Sequence, residues 1–340
     1  MTSIQVQTGK PYRVTIGRGL LAQCGEMTAV VKAACRVMLV SDDIVFALYG
    51  QTVTQSYEAA GFAVHHFVFA NGERSKNMDT LVQLLEEMAA AGLTRGDLAV
   101  ALGGGVTGDL TGFAAAAYLR GIPYVQLPTT FLAAIDSSVG GKTGVNLAAG
   151  KNLAGAFHQP IAVFCDIDSF NTLPREIFLD GMCEAVKYGC IAGASLFDEL
   201  RGDAPDLAGI VAACVEMKRD LVERDEFDRG DRQMLNFGHT PAHAIEKLSG
   251  YAVSHGHAVG MGMCIMGGAF APQIRALLEA QGVDTRCPYT AAELAQVALS
   301  DKKRSGGMIS LVLLERIGKA YLKEIAVGEL AAYFEKGLHF

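Results

Sequence analysis

The stretch DLAVALGGGVTGDLTGF, residues 97–113, decides the fold. An apolar run gives way to glycines 103, 105 and 108 in G-x-G-x-x-G register, and then to a helical pattern. A glycine loop between strand and helix lets backbone N–H groups and a helix N-terminus close on a pyrophosphate. The same glycines would also serve a plain tight turn, so the surroundings carry the meaning. Around the loop, RVMLV (36–40), AVHHFVF (63–69) and YVQLP (124–128) read as buried strands. Residues 44–60, 78–92 and 108–119 have helical spacing, and SIQVQ and YRVTI, joined by Gly-Lys-Pro, read as a hairpin. Strands alternating with helices predict a parallel sheet with helices on its faces.

From about residue 175 the strand signals fade, and EIFLDGMCEAVKYGCI, DLAGIVAACVEMKRDLVERDEF and TPAHAIEKL all have helical spacing. FCDIDSFNTLP (164–174) ends in Leu-Pro and makes the seam. The expected architecture is an α/β nucleotide-binding domain over 1–172 and an all-α domain over 173–340, with the active site in the cleft between them.

Bulk properties narrow the function. The 340 residues are 50% hydrophobic and carry a net charge of −7, so a nucleic-acid surface is excluded as the main business. The N-terminus, MTSIQVQTGKPYRVTI, has no basic segment followed by an apolar one, which predicts no signal peptide and a cytoplasmic protein. The longest uncharged stretch, AVGMGMCIMGGAFAPQI (258–274), reads as a buried helix. Eight scattered cysteines without a CxxC pair predict reduced core thiols.

The nucleotide signal departs from the usual dinucleotide order. No carboxylate ends the strand after the loop, where LPTT (127–130) stands; the acid that could hold a ribose ends an earlier strand, in LVSDD, as Asp42.

In the second half, Glu184 and Lys187 of GMCEAVKYG lie at i, i+3 on one helix face. His239 and His243 of LNFGHTPAHAIE lie at i, i+4, and VSHGHAV adds His255 and His257. Two histidines one turn apart also arise by chance. Two such blocks beside Asn236 favour a metal site, since one Glu and two His complete a catalytic zinc set with positions left open. Basic residues gather near these blocks: Lys142, Lys151, Lys187, Lys218, Arg232 and the DKKR run at 301–304. Lys142 and Lys151 sit in uncharged, Gly-rich segments where a charge needs a ligand or partner, which suggests an anionic substrate.

These blocks carry a resemblance. GGGVTGDLTGF, YLRGIPYVQLPTTFLAAIDSSVGGKTGVN, GKNLAGAFHQP, LPREIF, GMCEAVKYG, LNFGHTPAHAIE and HGHAVGMGM follow one another as in the 3-dehydroquinate synthase family, of the sugar phosphate cyclase superfamily. The resemblance spans roughly residues 36 to 325 and is densest over 97–190. It implies one divalent metal, zinc or cobalt, on Glu184, His239 and His255, with His243 in hydrogen bonding or proton transfer. It implies NAD on Asp42, Glu73, Lys76, the loop Gly104, Gly105, Val106, Thr107, Gly108 and Asp109, Thr129, Thr130, Lys142, Lys151, and Ser169, Phe170, Asn171 and Thr172. It implies substrate contacts from Asp136, Lys142, Asn152, Lys187, Lys218, Arg232, Asn236 and one of Lys302 and Lys303; Lys142, Asp136 and Asn236 would act with His243 in catalysis. Arg120 would reach the phosphate from the neighbouring subunit of a homodimer.

The implied reaction turns 3-deoxy-D-arabino-heptulosonate 7-phosphate into 3-dehydroquinate and phosphate. Transient oxidation of an alcohol by NAD acidifies the neighbouring proton, phosphate is eliminated, the hydride returns, and an aldol step closes the ring. A sister cyclase acting on another sugar phosphate, or a metal-dependent polyol dehydrogenase, are the alternatives. Three positions depart from the family pattern. Ala242 replaces the usual Gly between the two helix histidines, His257 replaces the usual acid after His255-Gly256, and NLAAGKN replaces a proline-containing turn.

Overall fold

The structure, a computed structural model, describes residues 1–202, 205–302 and 307–339. The chain forms two compact units: Met1–Leu173 with Lys218–Phe227, and Pro174–Met217 with Asp228–Phe340.

The first unit is built on seven strands. They are β1 (Thr2–Val6), β2 (Tyr12–Gly17), β3 (Arg36–Asp42), β4 (Ala63–Phe69), β5 (Leu98–Gly103), β6 (Tyr124–Pro128) and, after a hairpin of β7 (Lys142–Leu147) and β8 (Gly150–Phe157), β9 (Ala162–Asp166). The sheet order is β1-β2-β9-β6-β5-β3-β4, parallel except for the antiparallel β1–β2 hairpin at one edge. β5 is buried at every residue, which is why its sequence is a continuous apolar run instead of an alternating one. Apolar clusters cover both faces, one around Met38, Leu84 and Leu110, the other around Leu39, Tyr57 and Val100.

The hairpin, strands 36–40, 63–69, 97–102 and 124–128, and the three helical segments of the first half all have counterparts in the structure. Two elements were not foreseen. β9 is a buried strand of five residues that runs into the start of the stretch read as a seam, and β7–β8 is a Gly-rich hairpin. Gly144 and Gly155 face each other there: a Cβ on either would come within 2.6 Å of the opposite backbone, so strand propensity is traded for close approach.

The second unit is helical with one exception. Its helices include Arg175–Ile191, His239–Leu248, His255–Met266, Ala271–Ala280, Ala291–Lys302 and Leu330–Leu338. The exception corrects the expectation of an all-α half. β10 (Met308–Arg316) and β11 (Lys319–Ala326) form an antiparallel hairpin, turning at Gly318 with φ +82°. The apolar stretch 258–274, expected as one buried helix, is so only as far as Met266; after Gly267 and a 3-10 turn, Gly268–Phe270, it enters Ala271–Ala280, bent by 115° from His255–Met266. Among the described residues no single helix is long and apolar enough to cross a membrane. The eight cysteines are thiols outside any disulfide, six of them buried, and burial raises Cys24, Cys165 and Cys264 to about 12.

Candidate functional site

In the first unit the chain order fixes where a nucleotide can bind. From β3 the chain crosses outward to β4, and from β5 it crosses the other way to β6, so the direction of winding reverses between β3 and β5. Ligands of open parallel sheets bind at such a switch point, beyond the carboxyl ends of the strands. Ser41 pairs with Leu102 and Gly103 with Pro128, so Asp42, the glycine loop and Thr129–Thr130 all leave the sheet along that edge. Asp42 is buried and caps its own turn, accepting from the Val45 N–H at 3.0 Å. The helix Gly105–Ala117 starts at Gly104 with no side-chain cap, leaving its first N–H groups to an anion. A Cβ on Gly104 would stand 3.0 Å from Thr130 and one on Gly105 3.1 Å from Ser137, so the loop has no spare room for side chains. Among the described residues the buried hydroxyls of Thr107 and Thr129 have no hydrogen-bond partner, and a polar ligand would satisfy them. These features fit a dinucleotide.

Side chains around that edge pair with one another. Lys76 donates to Asp109 at 2.5 Å and to Asn152 at 2.6 Å, and Asn146 donates to Glu73 at 2.7 Å. Burial raises the Asp109 carboxyl against the opposing pull of Lys76. Ser169 to Thr172 lie in a 3-10 turn after β9, where Phe170 packs on Phe131 and the Tyr49 hydroxyl meets that of Thr172 at 2.6 Å. Lys218, which the sequence reading assigned to the second half, stands in the first unit and donates to both the carboxylate and the carbonyl of Asp136. Val106 and Gly108 lie in the first turns of the loop helix, and Asn171 is exposed.

Two neighbourhoods differ from the sequence argument. Lys142 is exposed and Lys151 half-buried, both on the β7–β8 hairpin, so an uncharged sequence context is not here a buried one. Asn152 and Arg120 adopt left-handed backbone, with φ +55° and +68°, and Leu119 joins Arg120 at +49°. Such strain in residues other than glycine collects at functional positions.

The second unit gathers the histidines. Ligand atoms of Glu184, His239 and His255 all lie within 4.8 Å of one another, and so do those of His243, Glu246 and His255. Glu184 comes from the middle of Arg175–Ile191, where it is fully buried, and its Oε2 lies 2.5 Å from Nζ of the equally buried Lys187. The His239 Nδ1 stands 3.1 Å from the Phe237 carbonyl, which keeps a proton on Nδ1 and turns Nε2 toward Glu184 Oε1, 3.7 Å away. Burial and the Lys187 ammonium push His239 down to about 3, leaving a neutral ring with a lone pair to give. His255 goes the other way. Burial opposes its charge, but hydrogen bonds with Glu184 and Glu246 and their negative charge lift it to about 10. The cluster holds a proton where two carboxylates demand positive charge. A divalent cation meets the same demand and displaces that proton, so the donor set fits a metal.

Around this cluster, His243 is exposed and its ring stacks on His255 at 6.2 Å. Arg232 is buried and Asn236 exposed in one 3-10 turn, and Asn236 borders a cavity lined also by Gln233, Thr240, Ser310 and Leu322. Lys302 ends the helix Ala291–Lys302, and Lys303 lies outside the described residues. Sequence reading passed over Glu246, buried with its Oε2 3.3 Å from the His255 Nδ1. The signal was present: Glu246 is i+7 from His239 and i+3 from His243, on the face that carries both.

Comparison with known proteins gives this geometry its context. The family model described as 3-dehydroquinate synthase N-terminal matches residues 66–180, and the one described as 3-dehydroquinate synthase C-terminal matches residues 181–304. A 3-dehydroquinate synthase of Streptococcus suis (strain 05ZYH33) is 40% identical over 96% of this chain and 97% of its own. That of Geobacter metallireducens (strain ATCC 53774 / DSM 7210 / GS-15) is 42% identical over 94% of each. Among solved structures, 2-deoxy-scyllo-inosose synthase complexed with carbaglucose-6-phosphate, NAD+ and Co2+ superposes with a TM-score of 0.89 at 26% identity, covering 99% of this chain and 100% of that one. With both family models matched in succession and relatives of this identity along nearly the whole length, the chain belongs to the 3-dehydroquinate synthase family.

Proposed function

We propose that the chain converts 3-deoxy-D-arabino-heptulosonate 7-phosphate to 3-dehydroquinate and phosphate, as a cytoplasmic carbon–oxygen lyase of the shikimate pathway. The observation that carries this reading is the Glu184–His239–His255 cluster, set in a chain of this family. When bound, NAD supplies reversible hydride transfer at a substrate alcohol, and zinc or cobalt supplies the charge that polarises the oxygen.

The chain's own residues do the rest. Asp42 takes the ribose; the Gly104–Asp109 segment, with Val106 in its first turn, takes the pyrophosphate; Glu73, Lys76, Thr129, Thr130, Lys142, Lys151 and the turn Ser169–Thr172 complete the dinucleotide site. Glu184, His239 and His255 hold the metal. Substrate oxygens meet Asp136 with Lys218, Lys142, Asn152, Lys187, Arg232, Asn236 and one of Lys302 and Lys303. His243 exchanges protons with the substrate, a reading supported by its exposed ring beside His255.

Incubation with the heptulosonate phosphate and NAD should release one phosphate per 3-dehydroquinate formed, with no lasting NADH absorbance. Continuous NADH production would instead favour a polyol dehydrogenase, and a different carbocycle would favour a sister cyclase.

We further propose a homodimer in which Arg120 reaches the phosphate at the neighbouring subunit's site. Its exposed side chain stands on strained backbone, as a residue reaching out to a ligand would. Mixing Arg120→Ala with inactive His255→Ala should restore part of the activity, because each hybrid dimer contains one intact site. No recovery despite demonstrated subunit exchange would place Arg120 within its own subunit's site.

A further inference from the structure

We propose that Asp180 is a positioning residue for the metal centre, holding the helix that carries His255 against the helix that carries Glu184. This rests on the metal site proposed above. Asp180 lies one turn before Glu184 on Arg175–Ile191. Its Oδ1 accepts three hydrogen bonds from the start of His255–Met266: from the Ser254 hydroxyl at 2.6 Å, the His257 Nδ1–H at 2.8 Å and the His257 backbone N–H at 3.1 Å.

The third bond is a helix cap made from outside the helix. Ser254 occupies the N-cap position yet makes no side-chain cap, because its hydroxyl is turned to Asp180. A carboxylate there satisfies an otherwise orphaned N–H and complements the positive end of the helix. His255 is the first residue of that helix, so whatever fixes its first turn fixes the imidazole 3.4 Å from Glu184. Gly256 makes the docking possible: a Cβ there would fall 2.3 Å from the Cα and carbonyl oxygen of Asp180.

His257 thereby gains a role. Its Nδ1 faces Asp180 and its Nε2 faces Glu176 at 3.3 Å, so both nitrogens point to Arg175–Ile191 as a brace. One of the three positions where this sequence departs from the family pattern is thus engaged with Asp180.

The test is zinc affinity of the metal-free protein, by competition with a chromophoric chelator, together with the visible absorption of the Co2+ form. Asp180→Ala should weaken zinc binding by about tenfold to a hundredfold, as loss of an outer-shell partner does, and should alter the Co2+ spectrum. Ser254→Ala and His257→Ala, which each leave other donors on Asp180, should shift affinity less. Wild-type zinc affinity in Asp180→Ala, even with a lowered unfolding temperature, would overturn the proposal and leave Asp180 a purely structural residue. Should Asp180→Ala not fold, Asp180→Asn keeps the size and an acceptor oxygen, and should lose an intermediate share of affinity. An unshifted affinity in that variant overturns the proposal equally. A wild-type protein that binds no zinc would overturn the metal site itself.

Discussion

Glu184→Ala, His239→Ala and His255→Ala should each purify without bound metal and without turnover, whereas His257→Ala should keep its metal. A three-residue set has no ligand to spare, because four-coordinate zinc already leaves one position to water or substrate. Losing a ligand therefore exceeds the ~10–100-fold cost of losing an outer-shell partner. The distinction between the two neighbouring histidines is geometric. The His255 Nε2 faces Glu184 at 3.4 Å, while both nitrogens of His257 are taken up by Asp180 and Glu176. Metal analysis of the four purified variants, with chelator-treated wild type as the zero, reads the outcome directly. Full metal content in His255→Ala, or its loss in His257→Ala, would reverse the assignment.

Spacing along the sequence exposed some of this arrangement and concealed the rest. His239 and His243 were legible because one helical turn puts i and i+4 on one face, and helix His239–Leu248 keeps that register. The glycine loop was legible because β5 is buried on both faces and reads as an unbroken apolar run. Reach between helices is not a matter of spacing. Asp180 bonds to residues more than seventy positions later, and Lys218 finds Asp136 across 82. Nothing periodic marks such pairs.

Burial was misjudged where glycine replaced side chains. The segment around Lys142 and Lys151 looked like an interior because it lacks charge, yet it is a hairpin whose glycines serve backbone approach while Leu153 and Phe157 stand exposed. The β10–β11 hairpin escaped notice because its last strand, KAYLKEIA, is mostly exposed and mixes charge with apolar residues.

Replacing Lys187 with methionine should destabilise the metal-free protein, tighten its hold on zinc, and still lower turnover. Lys187 and Glu184 are an ion pair closed off from water, each side chain 1% exposed, with 2.5 Å between charged atoms. Removing one partner of such a pair strands the other's charge and costs roughly 3–5 kcal/mol. Methionine fills nearly the same volume, so a packing defect contributes little. The metal then supplies positive charge to Glu184 in place of the lost lysine, and it binds without the repulsion of a neighbouring ammonium. Burial and the same ammonium hold His239 down to about 3, so loss of the ammonium raises the basicity of that imidazole and with it the ring's strength as a donor. Turnover falls for a separate reason, since Lys187 is among the cations proposed to meet the substrate. Denaturant titration of the metal-free variant and chelator competition for zinc measure the first two effects independently of catalysis. General damage to the site would weaken zinc binding along with stability. Zinc bound more weakly by Lys187→Met than by wild type would show that Lys187 supports the metal instead of competing with it for Glu184.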